Sequence, residues 1–405
     1  MTQTNIIDLL AETPDDLAQL RRQRPDATAN AERSFAALFE PEDPKDLPVA
    51  WRYGIALFVA GISYQDRAAA FYADVLSDEA SDDFIAGVKT AIARGASRGP
   101  YASGDFVTFA ELGAEHGFAD AFIAALDFAH LLTFHPKDAT PAAIGHLQES
   151  GLSDDAIVSL AQLISFLAFQ LRVVHGLRVL AGHAPETPAA QRAGGAADPG
   201  WKPGPRTLQP EVVHPGKFVN HSLGWKPWLA DLPKEEFTDV HRDALIKEER
   251  IGSEYFRLLA RDPAALKART LTDLDIFYNT DGGLGRAERE LAATVVSRYN
   301  GCEYCASVHQ ARTKEEGGDA TIVDTLLEEG VAADLGSPLW NALRDAALAL
   351  TSTPFEFGAH HVDALRGAGV SELGIIDAIN SSAFFNWANR LMLTLGTPDV
   401  PKRFR

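Results

Sequence analysis

Apolar residues recur at three- and four-residue spacing along nearly the whole chain, and alternating runs of Val, Ile and Thr are scarce. That pattern predicts an all-α protein. In the C-terminal part it predicts a helix over 285–299, stopped by Asn300-Gly301, because glycine suits the left-handed turn that ends helices. A second helix starts near Cys302 and runs into the "EEGGD" break at 315–319. Others are expected over 339–350, 357–367 and 371–395. Ser371 and Glu372 give the last one a capped start, and Ile375, Ile376 and Ile379 give it an apolar stripe.

The apolar pattern also repeats. "LPVAWRYGIALFVAGISYQDRAAAFY" (47–72) lies against "LGRAERELAATVVSRYNGCEYCASVH" (284–309) without gaps. "LSDDAIVSLAQLISFLAFQLR" (152–172) lies against "VSELGIIDAINSSAFFNWANR" (370–390), both ending in arginine. The two copies are spaced differently, so the N-terminal one holds a longer middle segment, which includes the "RGASRGPYASGD" loop at 94–105. Between them, 183–206 is rich in Pro, Gly and Ala with no apolar periodicity. The expected organisation is a helical domain over 1–182, a linker over 183–206 and a second copy of the same fold over 207–405.

Composition narrows the function. The 405 residues exceed one ordinary core, and 46% are hydrophobic. A net charge of −19 repels phosphate backbones and anionic lipid, so neither nucleic acid nor a membrane surface is an expected partner. The N-terminal residues lack the basic and apolar regions of a signal peptide, and the uncharged run at 156–171 reads as a buried helix, too short and too polar for a bilayer. A cytoplasmic protein is expected. The chain has only two cysteines, Cys302 and Cys305, both within "NGCEYCASVH". In a reducing compartment such a pair points to catalysis or metal binding.

On a helix starting at Cys302, offsets of 0, 3 and 7 put Cys302, Cys305 and His309 on one face. A helix N-terminus favours thiolates, and His309, one turn beyond Cys305, is placed to accept a proton. Glu290 heads a small-residue stripe on the preceding helix, with Ala293, Thr294 and Ser297, along which the next helix can approach closely. A carboxylate aimed at an imidazole fixes its tautomer and raises its basicity. The first copy has Tyr53, Gln65, Ala68 and Tyr72 at the positions of Glu290, Cys302, Cys305 and His309, so it can keep the fold without the thiol chemistry. A zinc site would need more ligands, with His360 and His361 as candidates. Haem attachment would need a histidine where Ala306 stands. Cys302, following a turn, is expected near the surface. His130, His135 and His175 are expected to be cap or core residues, and Trp51, Trp225, Trp228 and Trp387 packing residues.

With these residues in place, the second half resembles the alkylhydroperoxidase branch of the carboxymuconolactone decarboxylase-like superfamily. The family pattern Glu-x11-Cys-x2-Cys-x3-His is met by "ERELAATVVSRYNGCEYCASVH", and "AFFNWANR" looks like the family's final helix. The resemblance spans 271–396 with the motif and 47–180 without it. It implies two tandem alkylhydroperoxidase-like helical domains, the first chemically degenerate. It further implies Cys305 as the peroxidatic thiol, Cys302 as the resolving thiol, and Glu290 with His309 as a proton relay. The cofactor is then the redox-active disulfide Cys302–Cys305 alone, with no metal. A hydroperoxide is the substrate, a dithiol or lipoyl-type protein the reductant, and a homo-oligomer, favouring a homotrimer, the assembly. Tyr304 stands where some relatives carry histidine, which leaves substrate preference open. Disulfide oxidoreductases, redox sensors and lactone decarboxylases remain as alternatives.

Overall fold

A computed structural model describes residues 5–101, 107–186 and 199–405. The central twelve residues of the expected linker and residues 102–106 of the expected loop lie outside the described residues. The chain is all-α, 66% helical. The first half contributes α1 (Ile6–Ala11), α2 (Asp15–Arg21), α3 (Pro25–Phe39), α4 (Val49–Ile62), α5 (Asp66–Glu79), α6 (Asp82–Gly95), α7 (Leu112–His116), α8 (Asp120–Phe134), α9 (Pro141–Glu149) and α10 (Asp154–Leu180). The second half contributes α11 (Asp239–Ala244), α12 (Glu254–Leu259), α13 (Pro263–Tyr278), α14 (Arg286–Asn300), α15 (Glu303–Glu315), α16 (Ala320–Glu329), α17 (Pro338–Thr351), α18 (Ala359–Gly367) and α19 (Glu372–Thr394). The predicted helices at 285–299, from Cys302, at 339–350, 357–367 and 371–395 correspond to α14, α15, α17, α18 and α19.

Among the described residues the strands are two short ones. β1 (Gly224–Pro227) pairs antiparallel with β2 (Gly396–Asp399), placing Trp225 opposite Pro398. This ribbon ties the entry of the second half to the end of its last helix, and the Trp225 indole donates to Met392 O at 2.9 Å.

The two longest helices, α10 and α19, pack against each other through the middle of the molecule. Both start alike: Ser153 Oγ accepts from Ala156 N–H and Ser371 Oγ from Gly374 N–H, each satisfying a free amide of the first turn. Gly176 lets the helices approach, since a Cβ there would lie 2.7 Å from the Ile379 side chain. Trp387 fills the seam, its ring 5.2 Å from Phe166 and 5.6 Å from Phe169. Truncating so buried an indole to alanine costs about 3–5 kcal/mol. α10 is 27 residues long and apolar enough to cross a membrane by length and composition, more so than its sequence alone conveyed. It is buried along that whole stretch by the other helices.

Hydrogen bonds repeat with the helices. Arg52 Nε donates to Leu47 O at 2.8 Å and Nη1 to Leu38 O at 2.7 Å. In the second copy Arg289 Nε donates to Leu284 O at 3.0 Å and Nη1 to Ile276 O at 2.8 Å. The arginines ending the second aligned segment cross between halves. Arg172 on α10 donates to Thr351 O at 2.9 Å, and Arg390 on α19 donates to Leu132 O at 2.7 Å. Equivalent positions of the two halves thus make reciprocal contacts across the α10–α19 seam. The described part of the expected linker is not free: Trp201 stacks on His146 at 4.5 Å and Arg206 donates to Leu152 O at 2.7 Å.

Candidate active site

Two helices and the turn between them build the site. α14 ends at Gly301 in the left-handed conformation (φ 79°), with Cys302 N–H returning to Ser297 O at 2.9 Å. The chain then starts α15 with Cys302 as its N-cap residue. Cys305 follows in the first turn and His309 one turn later, and α15 packs along α14, where Glu290 faces it.

The expected Glu290–His309 contact is present. His309 Nδ1 lies 2.5 Å from Glu290 Oε2, and Arg286 Nε donates to Glu290 Oε1 at 2.8 Å. The Glu290 side chain is wholly buried. Burial works to raise its carboxyl, but His309 and Arg286 outweigh that and hold it below the usual carboxylate value. An ionised Glu290 accepts a hydrogen bond from Nδ1–H, which leaves Nε2 as the unprotonated nitrogen of the neutral ring. Phe385 lies edge-on to the imidazole, 4.2 Å ring to ring, and Phe277 is tilted against it at 6.0 Å.

Both cysteines are free and buried, Cys302 2% and Cys305 5% exposed. Cys302 is therefore not near the surface, as its place after a turn had led us to expect. Segments of the first half close over this turn. Lys137 Nζ bridges both Glu303 oxygens at 2.7 Å, and a Cβ on Gly301 would lie 2.8 Å from Lys137 Cδ and 2.9 Å from Tyr101 Oη. Burial, with Cys305 beside it, pushes the Cys302 thiol well above the ordinary thiol value. Tyr304, half-buried beside the pair, is likewise raised by burial and by both thiols.

Four other histidines have structural partners. His361 Nδ1 accepts from Gly358 N–H at 3.1 Å to cap α18. His175 bonds Phe357 O at 2.8 Å, and His130 and His135 both meet Ser97 Oγ inside the first half. Among the described residues no cluster of His, Cys, Asp or Glu is arranged to hold a metal ion. Arg286 and Lys137 were missed from sequence. Arg286 was readable, since an Arg four residues before a Glu on one helix is a ready pair. Lys137 was not, because it arrives from the other half.

The sequence model of the carboxymuconolactone decarboxylase family matches residues 263–349, a segment that includes Glu290, Cys302, Cys305 and His309. The match is confined to that segment of the second half. Among solved structures, an uncharacterized peroxidase-related protein from Silicibacter sp. TM1040 is similar, with 25% identity over 43% of this chain and 88% of its own, at a TM-score of 0.34. No curated protein matches the chain.

Proposed function

We propose that this protein reduces hydroperoxides through Cys305 and Cys302. The observation that carries this reading is the buried Glu290–His309 pair one helical turn from Cys305. His309 Nε2 takes the Cys305 proton, and the thiolate attacks the peroxide oxygen. The O–O bond breaks, Cys305 becomes a sulfenic acid, and the departing alkoxide takes a proton back through His309. Cys302 then attacks the sulfenic sulfur, forming the Cys302–Cys305 disulfide and releasing water. A dithiol, small or lipoyl-type on a protein, reduces that disulfide and is itself oxidised.

The thiol environments support this division of roles. Burial and the neighbouring Cys305 raise the Cys302 thiol, which disfavours Cys302 as the first thiolate to form. The burial of both sulfurs favours a small substrate over a bulky protein disulfide. No further cofactor enters the cycle. A thiol pair of this kind belongs in the reducing cytoplasm, and three chains of two copies each would close a six-domain ring; a monomer mass by light scattering would exclude that ring.

The test is direct. Cys305→Ser abolishes turnover of cumene hydroperoxide with a dithiol donor, whereas Cys302→Ser reacts once and leaves a sulfenic acid that dimedone traps on Cys305. Unchanged turnover in Cys305→Ser, or a trapped adduct on Cys302 in that variant, removes the reading.

A further inference from the structure

Behind the aromatic wall beside His309 lies a buried guanidinium whose Nε has no hydrogen-bond partner. Arg269, on α13, is only 6% exposed. Its Nε makes no hydrogen bond, and among the described residues no carboxylate forms an ion pair with it. Three rings surround the guanidinium: Phe384 at 5.1 Å, Trp387 at 5.8 Å and Tyr255 at 5.9 Å from Cζ. Ring faces stabilise a cation through their quadrupoles, but they offer nothing to N–H groups, which point outward in the guanidinium plane.

Two further polar groups beside these rings are also unsatisfied. Gln162, fully buried on α10, accepts the Trp387 indole N–H at Oε1 (3.0 Å), which orients the amide and leaves Nε2 with no acceptor. The Tyr255 hydroxyl is buried without a partner as well. Three donors thus border the same aromatic cluster and lack an acceptor. Asp273, one turn from Arg269, does not supply it. Its carboxyl, raised by burial, feels Arg269, His309, Arg312 and Glu290 electrostatically but forms no hydrogen bond or ion pair. The cluster adjoins the thiols: Tyr255 lies within electrostatic reach of Cys305, and Phe384 is followed by Phe385, which packs on His309.

We propose that Arg269, Gln162 and Tyr255 form a subsite for the carboxylate of a small organic acid whose reacting end faces Cys305. A carboxylate matches the flat two-pronged edge of one guanidinium, and its single charge balances the single buried cation. A dianionic phosphate would leave charge uncompensated there. The rings supply the apolar surroundings for the rest of the acid. Identifying that acid as the substrate rests on the hydroperoxide reading; the binding of a carboxylate does not.

The test is equilibrium binding to the full-length protein without peroxide, by titration calorimetry, using 3-phenylpropionate and hexanoate against their primary amides. The acids bind at least about tenfold more tightly than the amides, and Arg269→Met, which keeps the packing volume, removes that preference. Tyr255→Phe, which deletes only the hydroxyl, weakens acid binding about threefold and serves if the Arg269 variant does not fold. Equal binding of acid and amide by the unaltered protein overturns the subsite, as does an Arg269→Met variant that keeps the preference. Acid-selective binding without hydroperoxide turnover leaves the subsite standing and removes the catalytic reading; turnover without acid selectivity does the reverse.

Discussion

In the first half Tyr53 and Tyr72 stand where the second half has Glu290 and His309, and the surroundings show what that exchange entails. Tyr53 Oη donates to Glu40 at 3.0 Å and Tyr72 hydrogen-bonds Gln170, so the two tyrosines have turned to separate partners. Phe39 lies against both rings, 5.1 Å from Tyr53 and 5.5 Å from Tyr72. Arg286, which keeps Glu290 ionised, is matched by Val49 in the alignment of 47–72 with 284–309. Even the turn survives: Gln65 N–H returns to Ala60 O at 3.0 Å as Cys302 N–H returns to Ser297 O. The backbone hydrogen bonds are kept where the fold needs them, and the ionisable side chains are lost as a set. A carboxylate without its cations is costly to bury, so losing one member of the relay favours losing the others.

The largest effect expected on stability lies where the halves grip each other asymmetrically. Asp377 on α19 receives Arg24 Nε at 2.9 Å and Arg289 Nη2 at 3.0 Å, all three side chains buried. The aligned position on α10 is Ser159, which makes one hydrogen bond to Asp262 at 2.7 Å. Asp377→Ala strands two buried guanidinium groups and is expected to cost about 3–5 kcal/mol in chemical denaturation. Ser159→Ala is expected to cost about 1 kcal/mol. Equal losses would mean that the two ends of the seam are energetically alike despite their different chemistry.

The relay itself gives a pH signature that the first half lacks. Glu290 has its folded-state value lowered, so its contribution to stability is present above the unfolded carboxylate value, about 4.3. That contribution is lost as pH falls through the folded value. The stability difference between the unaltered protein and Glu290→Gln should therefore be largest near neutrality and shrink below about pH 4. The counterpart Tyr53→Phe should show a pH-independent difference over the same range, because burial pushes that phenol further up. Arg286→Met extends the comparison to activity. It leaves Glu290 buried with one fewer cation, and turnover is expected to fall about tenfold, less than loss of the acid–base group itself would cost.

Much of this was legible in the sequence, and the exceptions share a cause. The helix positions of the second half, the cap at Ser371, the duplication and the Glu290–His309 contact all follow from local spacing or from an aligned copy. The burial of Cys302 did not follow, because Lys137 and Tyr101 cover it from far away in the chain. The Arg24–Asp377 and Arg390–Leu132 contacts were hidden for the same reason. The β1–β2 ribbon left no periodic trace, since each strand has four residues and includes a proline. Arg269 reads in sequence as one more helix arginine; only the rings around it reveal an unmet need.

The smallest expected effect tests whether the first half acts on the site or merely accompanies it. Gly301 and Tyr64 occupy the same turn in the two copies, both with positive φ, 79° and 57°. Tyr64 adopts this conformation with its side chain in place, whereas a Cβ at Gly301 would press on Lys137 and Tyr101. Gly301→Ala carries the left-handed cost of about 1 kcal/mol and also displaces two flexible side chains. The total should stay near 1–2 kcal/mol in thermal unfolding, since Lys137 and Tyr101 can swing aside. Loosening that cover exposes the Cys302 turn, so alkylation of the thiol pair by iodoacetamide should speed up more than the stability loss alone explains. Lys137→Met should do the same without touching the turn's backbone. If neither variant changes alkylation, the first half does not govern access to the thiols, and its part in the protein ends at the α10–α19 seam.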